Sequence, residues 1–340
     1  MLKSYVATLM GNSADDAFLA TFRPESLDEI IGREQEKHLL KIMIESTKSA
    51  HAKGNKKALD HVLFYGPPGL GKTTFAKVIA KELGSKIVVT SGVALNKPID
   101  LVSILTNMAP GDLLFIDEIH RLRRNLQEVL YTAMEDFKVD IVMGEGMGAN
   151  TARVDLEPFT LIGATTQIGL LTGPLRDRFG VLMNLNFFED EEIFQIVKRA
   201  SSLDKIKIHE QAIWEIAKRS RGTARIAIRL YRRVKEYAEY HNSEVINVQV
   251  VEEIMDILRI DKAGLDAVDR KLLRIIYEQF NGGPVGLKSV ASILNEDLQT
   301  LQDVHEPYLV RIGLLKRTTR GRIITEAGIE HLSKVESSAK

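Results

Sequence analysis

The segment Gly66-Pro67-Pro68-Gly69-Leu70-Gly71-Lys72-Thr73 fits the spacing G-x-x-x-x-G-K-[ST]. Glycines so placed let a backbone close around an anion with its N–H groups pointing inward. Gly66, Gly69 and Gly71 would form that cradle, with Lys72 as a point charge on the β- and γ-phosphates. The Thr73 hydroxyl would ligate Mg²⁺. A second feature follows: the apolar run Leu113-Leu114-Phe115-Ile116 ends in Asp117-Glu118. Asp117 can hold Mg²⁺ directly or through water, and Glu118 can polarise an attacking water. An acidic pair after an apolar run is common by itself; behind a phosphate loop it is specific. The two together predict binding and hydrolysis of a nucleoside triphosphate, with ATP and Mg²⁺ as the cofactors.

Other polar groups suit the same chemistry. The apolar run Thr160–Ala164 leads into Thr165-Thr166-Gln167, where a hydroxyl could reach the γ-phosphate and help place the water. Strand capping is the plainer role for these threonines. Gly173-Pro174-Leu175-Arg176-Asp177-Arg178-Phe179-Gly180 carries two arginines on a short turn. Such a turn can supply an arginine finger, in cis or in trans, or an ordinary ion pair with Asp177. Arg219, Arg221 and Arg225 lie at a helix junction, as a reporter of the γ-phosphate or as solvated helix-end charges. Arg311, Lys316, Arg317, Arg320 and Arg322 cluster with no acid from 311 to 322. That patch suits sequence-independent phosphate contacts, or is a solvated basic surface. The histidines show no metal-ligand spacing, and His120 reads as structural or coupling.

These residues need a scaffold, and the hydrophobic pattern supplies one. Strands are predicted at 61–65, 86–90, 112–116, 159–163 and 181–186, with helices at 72–83, 98–107 and 125–135 between them. Alternation of continuous apolar strands with helices predicts a parallel sheet covered on both faces. The interruption at 139–155 reads as a projecting hairpin with the glycine-rich tip Gly144–Gly148, either a tolerated loop or a docking element. After 188 the period turns helical, with candidates at 190–202, 209–220, 223–240 and 247–258. Helices near 266–280, 287–294 and 297–309 precede two short strands near 311–317 and 322–325, which reads as a winged helix. Residues 1–20 read as a flexible arm.

Composition sets outer bounds. With 340 residues, two or three domains are expected. The 46 basic and 46 acidic residues exclude a uniformly basic nucleic-acid binder while allowing a local patch. With no cysteine there is no disulfide framework, thiolate zinc site or thiol nucleophile. The sequence has no apolar run that would span a membrane and no secretory leader, so the expected location is cytoplasmic.

Five motifs together resemble the RuvB family, the AAA+ motors of bacterial Holliday junction branch migration. They are Gly66–Thr74, Asp117–Leu122, Gly163–Thr166, Pro174–Gly180 and Gly282–Leu287. The particular stretches Glu306–Leu309 and Arg317–Arg322 belong to the same resemblance, which runs from Phe22 to about His331. It implies an α/β P-loop AAA+ ATPase domain over 1–188, a small helical lid over 189–260 and a winged-helix DNA-binding domain over 261–340. It implies a homohexameric ring on duplex DNA at four-way junctions, in recombination and repair. RuvA would load the ring at the junction and dock on the hairpin near 139–155, with RuvC a further candidate partner. It favours Thr166 over Thr165 at the γ-phosphate, makes Arg178 a finger for a neighbouring subunit and Arg225 the lid sensor. It implies nucleotide contacts from Phe22, Arg23, Thr74, Glu135, Asp136, Phe137 and Phe188, and DNA contacts from Arg317, Arg320 and Arg322. Gln167, Phe188 and Thr319 stand where the family usually has arginine, tyrosine and proline. Phe188 thus keeps a stacking face without the hydroxyl. Two other readings use the same residues: a clamp-loader-type AAA+ ATPase, and a DNA-binding regulator gated by ATP.

Overall fold

The computed structural model describes residues 13–55, 57–143 and 150–338. The chain divides into two compact units, one over 23–186 and the other formed by the segment ending at Phe22 together with 187–340.

The 23–186 unit is built on a five-stranded parallel sheet. Its strands are β1 (Val62–Tyr65), β2 (Ile87–Ser91), β3 (Leu113–Asp117), β6 (Thr160–Thr165) and β7 (Val181–Asn184), in the order β2-β3-β6-β1-β7. The central strands are buried on both faces, which explains their unbroken apolar runs. Helices α2 (Glu34–Ala52), α3 (Lys72–Leu83), α4 (Pro98–Thr106) and α5 (Arg124–Asp136) belong to this unit. Leu101, Leu105, Leu126 and Leu130 enter the same core cluster as Leu114 and Leu161. Strand β6 lies between β1 and β3, with Tyr65 beside Thr165 and Ile116 beside Gly163. That register brings the carboxyl ends of β1, β3 and β6 to one edge, where open parallel sheets bind ligands.

His61 ties the start of this arrangement together. The Leu161 N–H donates to His61 Nδ1 at 2.8 Å, so Nε2 carries the proton and faces the Met134 carbonyl at 3.2 Å. Burial lowers the His61 pKa, in keeping with a neutral ring.

The interruption is a hairpin of β4 (Lys138–Met143) and β5 (Asn150–Asp155), antiparallel with Lys138 opposite Asp155 and Met143 opposite Asn150. Arg153 forks onto Asp140 across the strands at 2.8 and 3.1 Å. The glycine-rich tip, Gly144–Gly148, lies outside the described residues.

The described part of the other unit begins with a helix where the end of an arm was expected; residues 1–12 of that arm lie outside the described residues. α1 (Ser13–Thr21) precedes Phe22, whose ring meets Tyr231 edge-on at 6.2 Å, and Phe18 meets Phe22 at 4.9 Å. These aromatic contacts place residues 13–22 with the helical unit, whereas the sequence suggested a first domain running unbroken from 1 to 188. Helices α7 (Asp190–Leu203), α8 (Glu210–Arg219), α9 (Ala224–Tyr240) and α10 (Val248–Leu258) form the predicted helical part. They are numbered after the short turn α6 (Gly173–Arg176) of the other unit.

The winged helix follows as α11 (Ala267–Gln279), α12 (Leu287–Leu294), α13 (Leu298–Thr300), α14 (Glu306–Arg311), strands β8 (Leu315–Thr318) and β9 (Gly321–Ile324), and α15 (Glu326–Ser338). A single helix over 297–309 is broken by a π turn at Leu301–His305. Pro307 lacks the N–H that would continue an α-helical ladder there. Helix α15 was not foreseen in the sequence.

A buried polar network joins the helical part to the winged helix. Arg221 pairs with Asp269 through Nη2 and Oδ2, and its Nε donates to the Gly264 carbonyl at 2.9 Å. His305 Nδ1 lies 2.7 Å from Asp269 Oδ1. Asp266, Asp269 and His305 bring their ligand atoms within 4.8 Å of one another, close enough to hold a cation. Their oxygens are turned to other work: Asp266 Oδ1 caps α11 by accepting from Val268 and Asp269 N–H, and Asp269 serves Arg221.

Burial acts to raise the Asp269 pKa, but the charges of Arg221 and His305 override it and hold the carboxyl well below its usual range. Burial acts to lower His305, and Asp269 outweighs that and raises it. The lowered carboxyl stabilises the fold above its ordinary 3.8 and loses this as pH falls through the folded value. The raised histidine stabilises below its ordinary 6.5 and loses this as pH rises through the folded value. The melting-temperature advantage of wild type over His305→Asn should therefore shrink from about pH 6 to about pH 9. An advantage that grows over this range would contradict the assignment of charges.

Candidate active site

The phosphate loop follows β1 at the carboxyl edge of the sheet. Gly66 N–H donates to the Thr165 carbonyl at 3.2 Å, which fixes the loop against β6. Gly66 adopts φ 138°, and a Cβ there would lie 2.2 Å from the Leu185 carbonyl oxygen. Only glycine fits both conditions. Gly69 and Gly71 complete the turn, and Lys72, Thr73 and Thr74 form the first turn of α3. Lys72 Nζ donates to the Gly66 and Pro67 carbonyls, each at 2.8 Å, so the ammonium is held over the loop. The first-turn N–H groups of α3 and this ammonium are suited to bind phosphate.

Asp117 ends β3, and its Oδ1 accepts from the Glu118 N–H at 2.9 Å. Glu118 takes the left-handed conformation, φ 47° and ψ 46°. This conformation is costly for glutamate, by about 1–3 kcal/mol, and such outliers concentrate at functional sites. The Thr166 hydroxyl donates to Glu118 Oε2 at 3.3 Å. His120 Nδ1 lies 3.3 Å from the same oxygen and 2.9 Å from Thr165 Oγ1. Thr165 Oγ1 also accepts from the Gln167 N–H at 3.0 Å. Glu118 is therefore oriented from two sides, by Thr166 and by His120. The adjacent threonines divide the work: Thr166 meets Glu118, and Thr165 holds His120.

Arg178 is folded onto its own unit. Its Nη2 donates to Glu135 Oε2 at 2.7 Å, its Nη1 to the Pro174 carbonyl at 2.8 Å, and its guanidinium lies 5.1 Å from the Tyr131 ring centre. Glu135 and Asp136 end α5, and Phe137 caps it with φ 52° while packing edge-on against Phe159 at 5.9 Å. Arg23 lies close enough to α3 that its charge, after burial, helps lower the Lys77 pKa.

In the other unit, Phe22 accepts from Arg199 Nη1 at 2.8 Å through its carbonyl. Phe188 is buried and its N–H donates to the Gly222 carbonyl at 2.9 Å. Arg225 lies in the first turn of α9.

Three family models match in chain order. The Holliday junction DNA helicase RuvB P-loop domain matches residues 22–185, the RuvB AAA lid domain 188–261, and the RuvB C-terminal winged helix domain 262–333. A curated Clostridium kluyveri protein, the Holliday junction branch migration complex subunit RuvB, is 50% identical over 319 residues, covering 94% of this chain and 90% of that one. The chain belongs to the RuvB family. Among solved structures, the Thermotoga maritima RuvB Holliday junction branch migration motor is 48% identical, with a TM-score of 0.82, covering 92% of this chain and 98% of that one. A single-substitution variant of that RuvB is 49% identical with a TM-score of 0.83 over the same shares.

The RuvB winged helix revises the basic patch. Arg317, Arg320 and Lys316 are exposed on β8 and the turn after it, and Arg322 is on β9. Arg311 is not on the wing; it ends α14 and donates to the Arg221 carbonyl at 3.2 Å. Nor is the patch free of acid. Glu306, buried at the start of α14, accepts from Arg322 Nε at 2.6 Å and Arg317 Nε at 2.9 Å. The sequence carried one signal for this: a glutamate next to Pro307 in the helical stretch shortly ahead of the basic run.

Glu118→Gln should lower ATP turnover by about 10²–10⁴-fold while leaving nucleotide affinity nearly unchanged. Steady-state hydrolysis with a parallel binding titration measures both. His120→Ala should give a smaller loss of the same kind, because it removes one of two orienting contacts.

Proposed function

We propose that this chain is the ATP-driven motor of Holliday junction branch migration, acting in recombination and repair. One observation carries the catalytic half: Glu118, held by Thr166 and His120, stands on the sheet edge that carries the phosphate loop. An ATP-gated regulator needs to bind nucleotide; an oriented base serves turnover. The winged helix supports the DNA half.

Thr73 and Asp117 offer a hydroxyl and a carboxylate, the oxygen donors that Mg²⁺ takes. The metal would neutralise charge developing on the phosphates. Lys72 and the loop N–H groups would orient ATP, and Glu118 would draw the proton from an attacking water. In this reading Arg178 leaves Glu135 to reach the nucleotide of a neighbouring subunit, and Arg225 reports the γ-phosphate to the lid. Phe22, Arg23, Thr74, Asp136, Phe137 and Phe188 shape the nucleotide surroundings. The working assembly is a homohexamer in the cytoplasm, with the β4–β5 hairpin docking RuvA and with RuvC as a further partner. The name of the Clostridium kluyveri relative, a complex subunit, supports a protein partner. The lid is assigned to 189–260 and the DNA-binding domain to 261–340.

Arg317, Arg320 and Arg322 would meet phosphates. Duplex binding by Arg320→Ala should weaken alike for unrelated sequences, and the log–log salt slope should fall by about one.

The deciding experiment follows ATP turnover and strand exchange on a synthetic four-way junction, with and without RuvA, for wild type, Glu118→Gln and Arg178→Ala. Wild type should be stimulated by junction DNA, and each variant should fail alone. Mixing the variants should restore part of the turnover through complementary subunits. If junctions stay put while ATP only changes duplex affinity, the regulator reading replaces the motor.

A further inference from the structure

Helix α14 is short, and both of its ends are committed. Its first residue, Glu306, is fully buried. Glu306 holds Arg322 by a fork, Nε to Oε1 at 2.6 Å and Nη2 to Oε2 at 3.1 Å, and holds Arg317 through Nε at 2.9 Å. The amino end of α14 is thereby fixed to both strands of the wing.

Its last residue, Arg311, points to the lid. Nη1 donates to the Arg221 carbonyl at 3.2 Å and Nη2 to the Phe188 carbonyl at 3.4 Å, while the guanidinium lies 4.5 Å from the Phe187 ring centre. The Phe188 N–H in turn donates to the Gly222 carbonyl at 2.9 Å. The joint leaves no slack. Gly222 adopts φ 63°, and a Cβ there would stand 2.1 Å from Arg311 Nη1 and 2.8 Å from the Phe188 carbonyl oxygen. The helix is also braced midway, where the Tyr308 hydroxyl donates to the Ala263 carbonyl at 2.6 Å. Burial pushes the Tyr308 pKa up to about 12, so the hydroxyl keeps the proton it donates.

We propose that α14 is a transmission strut, with Arg311 as the positioning residue that couples the lid joint at Phe188 and Gly222 to the wing arginines. A helix held at both ends and braced between them passes on displacement, because packed elements shift as units. The proposal rests on the branch-migration reading above. It gives the departure of Arg311 from the basic patch a purpose: its charge is spent on two lid carbonyls and an aromatic face.

The test uses the full-length chain as wild type, Arg311→Ala and Arg311→Lys, on a four-way junction with RuvA present. ATP turnover, KM for ATP, duplex affinity, melting temperature and base pairs migrated per ATP are all measured. In Arg311→Ala, DNA-free turnover, KM and duplex affinity should stay within about two-fold of wild type. Base pairs migrated per ATP should fall by about five-fold or more. Arg311→Lys should recover part of that loss, because it keeps a donor and a charge without the planar fork. An unchanged migration-to-ATP ratio in Arg311→Ala overturns the proposal. So does a parallel fall of turnover, affinity and melting temperature, since Arg311 would then only support packing. If wild type itself moves no junction, the branch-migration reading fails first, and the strut falls with it.

Discussion

The active edge depends on a single alignment: β6 lies between β1 and β3, hydrogen-bonded to both in parallel. Tyr65 stands beside Thr165, and the next residue, Gly66, bonds back to the Thr165 carbonyl. A slip of one residue in β6 would reverse every side chain on that strand. It would carry Thr166 away from Glu118 and lift the loop from its anchor. His61 guards against such a slip from the opposite end of the strands, because its ring bridges Leu161 of β6 and Met134 of α5. The chemistry at one edge thus relies on a neutral histidine at the other.

The second unit uses a different kind of specification. Arg221 and Asp269 are both buried, and such a pair is poor at adding net stability. Misplacing either partner would strand a buried charge, which penalises other arrangements of these two parts. Arg311 adds to this by donating to the Arg221 and Phe188 carbonyls. The unit therefore has few alternative packings available to it, which suits parts that must move together.

Legibility of these features in the sequence followed the range of the interaction. The phosphate loop, Asp117 and Glu118 were legible because each lies within or directly after a continuous apolar strand. Helix α3 matches its expected span, 72–83, and α12 its expected 287–294, where local period and end signals agree. Helix α1 was missed because its order comes from Phe18 packing on Phe22, which in turn meets the distant Tyr231. Helix α15 was missed because Gly328, in its first turn, reads as a break. The π turn needed Pro307 to be weighed as a missing donor inside a helix. Glu306 and Arg311 were misjudged for one reason: a charge census along the chain counts neighbours in sequence, and the hairpin folds Arg317 and Arg322 back onto an acid that precedes them.

The left-handed backbone at Glu118 sets stability and activity against each other at one position. Aspartate, asparagine and glycine accept that conformation more readily than glutamate does. Each would relax the turn after β3, and each would withdraw the carboxylate from Thr166 and His120 or abolish it. Selection for a sturdier protein would favour these exchanges, and selection for turnover would reject them. Glutamate there marks a site where the fold has been kept away from its own optimum.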